Sequence, residues 1–180
     1  LFIAHELRER GVRLISLAPR FVGDFEKGID YKGDLRAFNA ALEKHVQIAR
    51  HYGPYKISVH SGSDKFLVYP EVARISGGLF HLKTAGTSYL EAIRVVARHD
   101  LPLLREIIAF ARERFDTDQA TYHISSSLDK VPPAEALQDW DRERIYLDEN
   151  DGRQILHVTF GSVLTAGVGE GAAARSRFRQ

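Results

Sequence analysis

The chain of 180 residues contains no cysteine and no methionine. Without cysteine there are no disulfides and no thiolate zinc sites, so any metal must bind through His, Asp, Glu or water. The 25 Lys and Arg against 24 Asp and Glu give a net charge of +1, without the basic excess that nucleic-acid binding needs. No apolar run approaches the roughly 20 residues that span a bilayer. We therefore expect neither a nucleic-acid nor a membrane partner.

Two further absences concern the whole chain. The missing methionine and the start at Leu1 lead us to expect a piece of a longer protein, with residues 1–180 forming a single incomplete domain truncated at both ends. Neither glycine fingerprint for nucleotides, GxGxxG or GxxxxGK[ST], follows any apolar run.

Five β-type runs alternate with helical segments along the sequence. We predict strands at 12–18, 55–60, 79–84, 121–126 and 154–160, and helices at 35–51, 69–76, from 87, at 101–115 and at 132–140. The glycine-rich remainder is predicted as loop or a truncated helix. This alternation predicts an α/β fold with a parallel sheet, either an open sheet or part of a barrel. Polar residues spread over several strand ends favour about the second half of a (β/α)8 TIM-type barrel.

Four of the predicted strands carry a histidine beside small polar residues, at His60, His81, His123 and His157. Buried polar groups are costly without partners, and neutral imidazole is the commonest metal ligand as well as an acid-base group near pH 7. Each histidine alone could be a hydrogen-bonded core residue. Four together indicate one shared polar interior.

Alternation along the strands predicts that these histidines point into the barrel. His60 shares its side with Ser58, and the deeper pairs are His123 with Ser125 and His157 with Thr159. Because His60 alone stands at the very end of its strand, it is the best candidate for a metal ligand.

The loop after the first strand and the third strand add charged candidates. Glu26 or Asp30, with two or more histidines, would complete an open site for zinc, manganese, iron or nickel. The alternative is an ordinary solvated loop. Lys83 could bind a substrate anion, form a Schiff base or make a structural ion pair.

Four segments have a distinctive sequence: Leu17–Phe21, Phe25–Tyr31, Lys56–Lys65 (KISVHSGSDK) and His81–Ser88 (HLKTAGTS). The last two are the most specific, because a fold does not dictate such runs of small and charged residues. With these segments, the chain resembles the tagaturonate epimerase family from about Pro19 to Ser162.

The resemblance implies a cytoplasmic, metal-dependent isomerase of bacterial hexuronate catabolism, which interconverts the small sugar acids tagaturonate and fructuronate at C4. Two reaction routes could invert C4: a retro-aldol route with a metal-stabilised enediolate, or transient oxidation by a nicotinamide. The family's motifs match at Glu26, His60, Asp64, Lys65, His81 and Lys83. We assign catalysis to Glu26, His81 and Lys83, metal binding to His60, Glu26, His123 and His157, and substrate binding to Arg20, Ser63, Asp64, Lys65, Ser125 and Thr159.

Two other hypotheses stay open at the level of the sequence. A class II aldolase or sugar isomerase would use the same metal-enediolate chemistry on the same barrel. A noncatalytic sugar-acid-binding domain needs a polar pocket but no inward set of histidines.

Overall fold

The computed structural model describes residues 1–167, and their contacts divide into two compact units. The first unit comprises Leu1–Phe25 and Asp30–Thr84, and the second comprises Glu26–Ile29 and the chain from Ala85 onward. Each has its own cluster of buried apolar side chains.

The first unit is a small α/β layer built on a parallel sheet. Its elements are α1 (Phe2–Glu9), β1 (Ser16–Leu17), α2 (Leu35–Tyr52), β2 (Lys56–Val59), α3 (Tyr69–Ser76) and β3 (Phe80–Leu82). The strands pair in the order β1-β2-β3, all parallel. The first three predicted strands and their parallel pairing are therefore confirmed, although each strand is shorter than predicted.

The two crossover helices begin and end where the sequence predicts. The Asp34 carboxylate accepts a hydrogen bond of 2.8 Å from the Arg36 amide and caps α2. The inner face of α2, with Phe38 and Leu42 fully buried, belongs to the same apolar cluster as Val59 of β2. Helix α3 ends at Gly77, whose φ of +64° is left-handed.

The regular elements in the described part of the second unit are all helical. It contains α4 (Thr87–His99), α5 (Leu101–Asp118), α6 (Asp139–Glu143), a π-helical turn (Arg144–Asp148), α7 (Asn150–Val158) and α8 (Phe160–Thr165). Short 3-10 turns lie at Gln119–Thr121, Leu128–Lys130 and Ala134–Ala136. The predicted helix at 132–140 is thus replaced by one such turn and the start of α6. The glycine-rich remainder begins as α8, and its residues 168–180 lie outside the described part.

The predicted strand at 154–160 is wrong, because this segment forms α7 and the start of α8. Every residue from Gln154 to Val158 is buried, so the apolar run shows no helical periodicity. The sequence of a short run that is buried on all sides is compatible with a strand and with a helix. Here it packs in the apolar cluster of α4 and α5.

The predicted strand at 121–126 is also wrong. Its backbone is extended at Tyr122, but it pairs with no strand in the described part of the chain. The amides of Ser125 and Ser126 donate instead to the side chains of Glu26 and Gln154. The parity argument that pointed His123, His157 and their neighbours inward therefore fails. The single domain and the barrel stay predictions, and no helix within residues 1–167 is long and apolar enough to cross a membrane.

Candidate functional site

A strained polar loop follows β2 at the carboxyl end of the sheet. We call Ser61–Lys65 the strand-end loop. Ser61 and Asp64 have φ values of 51° and 60°, a left-handed conformation that costs energy for residues other than glycine. Ser63, Asp64 and Lys65 are all buried, with Lys65 fully inaccessible. Such strain persists only where the surroundings fix it, and it concentrates at functional sites.

Backbone and side-chain hydrogen bonds hold the strand-end loop in place. The Gly62 amide donates to the Lys83 carbonyl at 3.0 Å, which extends the pairing of β2 with β3. The Tyr69 hydroxyl donates to the Gly62 carbonyl and accepts from the Lys65 amide at 3.1 Å. The Lys65 ammonium donates to the Ser63 carbonyl at 3.1 Å. The buried loop is thus held from the sheet, from α3 and from within.

His60 and His81 lie beside this loop. His60 is exposed in the turn that directly follows β2. His81 is exposed on β3, where its Nδ1 lies 2.8 Å from the hydroxyl of Ser58, its register partner on β2. The predicted common side of Ser58 and His81 is confirmed by this contact. This hydrogen bond engages Nδ1 and orients the imidazole ring.

Two predicted cations of the first unit are exposed. Lys83 follows β3 directly, and its backbone amide donates to the Val59 carbonyl at 3.0 Å. Arg20 lies in the segment after β1. Both side chains are accessible to an anionic solute.

A second polar group surrounds Glu26 in the second unit. The Glu26 side chain is only 4% exposed, and its Oε2 accepts from the Ser125 amide, the Ser125 hydroxyl and the Gln154 amide group at 2.8–2.9 Å. Gln154 also donates to the Lys27 carbonyl and accepts from the Ser126 amide. We call these residues the Glu26 group. The three donors fix the orientation of the carboxylate.

His157 is packed between two glycines of the same unit. A Cβ added at Gly86 would lie 2.8 Å from His157 Nε2, and one added at Gly28 would lie 2.8 Å from its Cβ. Both glycines have left-handed backbones, at φ of 83° and 72°. The predicted inward strand histidine is therefore a helical residue, 2% exposed, whose ring requires glycine on both sides.

The remaining predicted site residues differ in their surroundings. His123 is exposed on the extended segment after α5. Thr159 is fully buried, and its hydroxyl donates to the Ile155 carbonyl at 2.8 Å, within its own helical segment. The Ser125 hydroxyl contacts another predicted site residue, Glu26.

Residues 1–167 contain no group of three His, Asp or Glu side chains placed to hold a metal ion. The predicted ligands Glu26, His60, His123 and His157 therefore do not form a ready site in the part of the chain that the structure describes. Their ligand roles stay predictions.

Two residues that contribute most to these groups were not identified as site residues from the sequence. Tyr69 was assigned only to the start of a helix, and Gln154 to a strand. A tyrosine four residues after Lys65 gave one signal, since the first turn of a helix lies within reach of the preceding loop. Burial raises the pKa of the Tyr69 hydroxyl above its ordinary value of 10.0, so the group keeps its proton for donation at neutral pH.

A cavity of about 680 Å³ lies in the first unit, at the amino ends of the strands. Its lining includes Ile15 before β1, Lys56 at the start of β2 and Leu79 before β3. Ligands of parallel α/β sheets bind at the carboxyl ends of the strands. The volume of this cavity therefore does not locate the functional site, whereas the strand-end loop lies at the expected end.

A parallel sheet with crossover helices and a polar loop at its carboxyl edge defines an α/β protein of the class that binds ligands at its strand ends. Solved structures support the fold: the native fructuronate-tagaturonate epimerase of Cohnella laeviribosi is 43% identical and superposes with a TM-score of 0.87. A glycerol complex of that enzyme gives the same values. The match covers 99% of this chain and 35% of that chain.

The sequence comparisons give the family. A family model described as tagaturonate epimerase matches residues 1–179. A tagaturonate/fructuronate epimerase of Thermotoga maritima is 52% identical over 164 residues, which is 91% of this chain and 34% of that protein. The chain belongs to the tagaturonate epimerase family, and it spans about a third of the length of these relatives.

Proposed function

We propose that the protein carrying this chain is an isomerase that interconverts tagaturonate and fructuronate at C4. The strand-end loop is the observation that supports this function best. It places buried Asp64 and Lys65 on a strained backbone at the carboxyl end of a parallel sheet, in a family whose relatives are named for this reaction. We also propose that the sheet is part of a (β/α)8 barrel, the fold in which several strand ends contribute to one site.

The position of the C2 ketone in the substrate limits the reaction routes to epimerisation at C4. C4 lies β to the C2 ketone, so its hydrogen is not acidic and simple deprotonation does not epimerise it. We infer a retro-aldol route in which a base removes the C4 hydroxyl proton, the C3–C4 bond breaks and C4 becomes an aldehyde. The aldehyde rotates, the enediolate carbon attacks its other face, and the proton returns to the new C4 oxygen.

The residues of the first unit can share this work. His81, oriented by Ser58, is a candidate for the group that takes and returns the proton. Lys83 and Arg20 are exposed cations for the substrate carboxylate. Asp64 would bind substrate from the fixed loop, and the fully buried Lys65, whose ammonium donates to the Ser63 carbonyl, would hold that loop beside the substrate. In the second unit, Glu26 remains our other candidate for the base, because its carboxylate is held in one orientation.

A divalent metal, zinc, manganese, nickel or iron, is part of the proposal, and when bound it would act as a Lewis acid that stabilises the enediolate. His60 is our first candidate ligand, because its imidazole is exposed at the end of β2. Glu26, His123 and His157 stay predicted ligands, and no step above depends on them.

An assay of the complete protein with tagaturonate tests the proposal. We expect fructuronate to form, with loss of activity after treatment with a chelator and recovery with Mn²⁺, Zn²⁺ or Ni²⁺. Net release of three-carbon products would favour an aldolase instead. Binding of hexuronate without any conversion would favour a binding domain and contradict the proposal.

A further inference from the structure

The hydroxyl of Tyr69 contacts both ends of the segment that carries the buried acid and amine. It donates to the carbonyl of Gly62 and accepts from the amide of Lys65 at 3.1 Å. Two residues, Ser63 and Asp64, lie between these two backbone groups along the chain. One hydroxyl thus fixes the distance between them.

The same segment has an unfavourable backbone conformation, which neighbouring groups must hold in place. Asp64 is left-handed at φ of 60°, and it is buried together with Ser63 and Lys65. A non-glycine residue leaves this conformation readily when its neighbours are free to move. The Gly62 amide is already tied to the Lys83 carbonyl, so Tyr69 supplies the second attachment at that residue.

A third attachment lies just beyond the loop. The Asp30 carboxylate accepts from the Leu67 amide at 3.2 Å and from the Tyr31 amide at 2.6 Å. It holds the backbone that leads into α3 but contacts neither Gly62 nor Lys65. The Tyr69 hydroxyl therefore joins the residues on both sides of Ser63 and Asp64, and the Lys65 ammonium adds a contact to the Ser63 carbonyl within the loop.

We propose that Tyr69 is a positioning residue for the reaction: its hydroxyl holds the strand-end loop so that Asp64 faces the substrate in one geometry. This inference rests on the proposed function. The Tyr69 ring packs edge-on against Phe66 at 5.5 Å, so replacement by Phe removes the hydroxyl and keeps the ring.

The test is Tyr69→Phe in the complete protein, with Tyr31→Phe as the matched control. The Tyr31 hydroxyl donates to the Val22 carbonyl at 3.0 Å in the same unit and does not contact the loop. We expect Tyr69→Phe to lower kcat about 10- to 100-fold with little change in KM, because small displacements of reacting groups cost about that much. Tyr31→Phe should lower the melting temperature and leave kcat unchanged.

Hydrogen exchange at the Lys65 amide separates this inference from the proposed function. We expect faster exchange there in Tyr69→Phe, and no change in Tyr31→Phe. If the wild-type protein converts no tagaturonate, the proposed function fails and the exchange result still decides whether Tyr69 holds the loop. Unchanged kcat together with unchanged exchange in Tyr69→Phe would overturn the inference.

Discussion

The two units bury polar side chains in different ways. The Glu26 group surrounds its carboxylate with three donors on regular or extended backbone. The strand-end loop buries Asp64 and Lys65 on a backbone that is left-handed at Ser61 and Asp64, held by the Gly62 amide and by the Tyr69 hydroxyl. A fully bonded buried network contributes to stability, whereas a strained backbone lowers it and persists where function requires it. The comparison predicts that mutations in the Glu26 group cost stability first, and that mutations in the loop cost activity first.

The largest stability loss is expected from Gln154→Leu. This change removes the donor to Glu26 and Lys27 and the acceptor for the Ser126 amide, all at 2.9–3.1 Å. Leaving such buried groups without partners costs about 3–4 kcal/mol in the free energy of unfolding. Urea denaturation measures the loss.

The matched control is Gln138→Leu, since Gln138 is exposed and its side chain caps nothing. Its free energy of unfolding should change by less than about 0.5 kcal/mol. Equal losses in both variants would show that the Glu26 network is not the source of the stability.

The next largest loss is expected from Gly86→Ala. Its new Cβ would lie 2.8 Å from His157 Nε2 on a backbone with φ of 83°. We expect a loss of about 2–3 kcal/mol, from the left-handed backbone together with displacement of the packed ring. Thermal or urea unfolding measures it.

Gly78→Ala in the first unit is the control, because Gly78 has a φ of 81° and nothing within 4 Å of an added Cβ. We expect this substitution to lower the free energy of unfolding by about 1 kcal/mol, because only the left-handed backbone opposes it. A difference near zero between the two alanine variants would contradict close packing of His157 against Gly86.

The smallest effect is expected at an ion pair of the second unit. Hydrogen bonds from Arg98, and then from Arg94, hold the pKa of Glu143 below its ordinary value of 4.5. Because the folded-state pKa is depressed, this carboxylate stabilises the fold above pH 4.5, and the contribution disappears as the pH falls through the folded-state pKa. With Glu143 and Arg98 partly exposed, Glu143→Gln should cost only about 1 kcal/mol at pH 7.

The check is the free energy of unfolding of Glu143→Gln and of the wild type from pH 7 to pH 3. The two curves should converge at the acid end. Glu9→Gln, at an exposed residue 3.9 Å from Arg8, should follow the wild type at every pH. A Glu143→Gln deficit that persists at pH 3 would mean that the charge of Glu143 is not its cause.

The sequence predicted the first unit better than the second for a physical reason. Helix α2 is amphipathic and capped by Asp34, and polar residues directly follow β2 and β3, so local signals agree with the fold. Residues 154–158 of α7 are buried on every side, and so short a buried run does not separate a helix from a strand. The segment before Ser125 is extended like a strand, but side chains distant in sequence take its amides, which no local pattern reveals.

The prediction of the candidate site also succeeded better in the first unit than in the second. The segment from His60 to Lys65 was identified from its run of small and charged residues, and its position at the strand end is confirmed. The alternation argument failed for His157 and Thr159 because both are helical or adjoin a helix. Tyr69 and Gln154 act through contacts that depend on the folded backbone, so their roles could not be inferred from spacing.

The most direct test of the central claim is the turnover of Asp64→Asn in the complete protein. Asn tolerates the left-handed backbone at this position as well as Asp does, so the variant removes the charge and keeps the loop. We expect kcat for tagaturonate to fall about 100-fold or more, while Asp129→Asn at an exposed turn keeps full activity. Full activity in Asp64→Asn would contradict the claim that the strand-end loop takes part in the reaction.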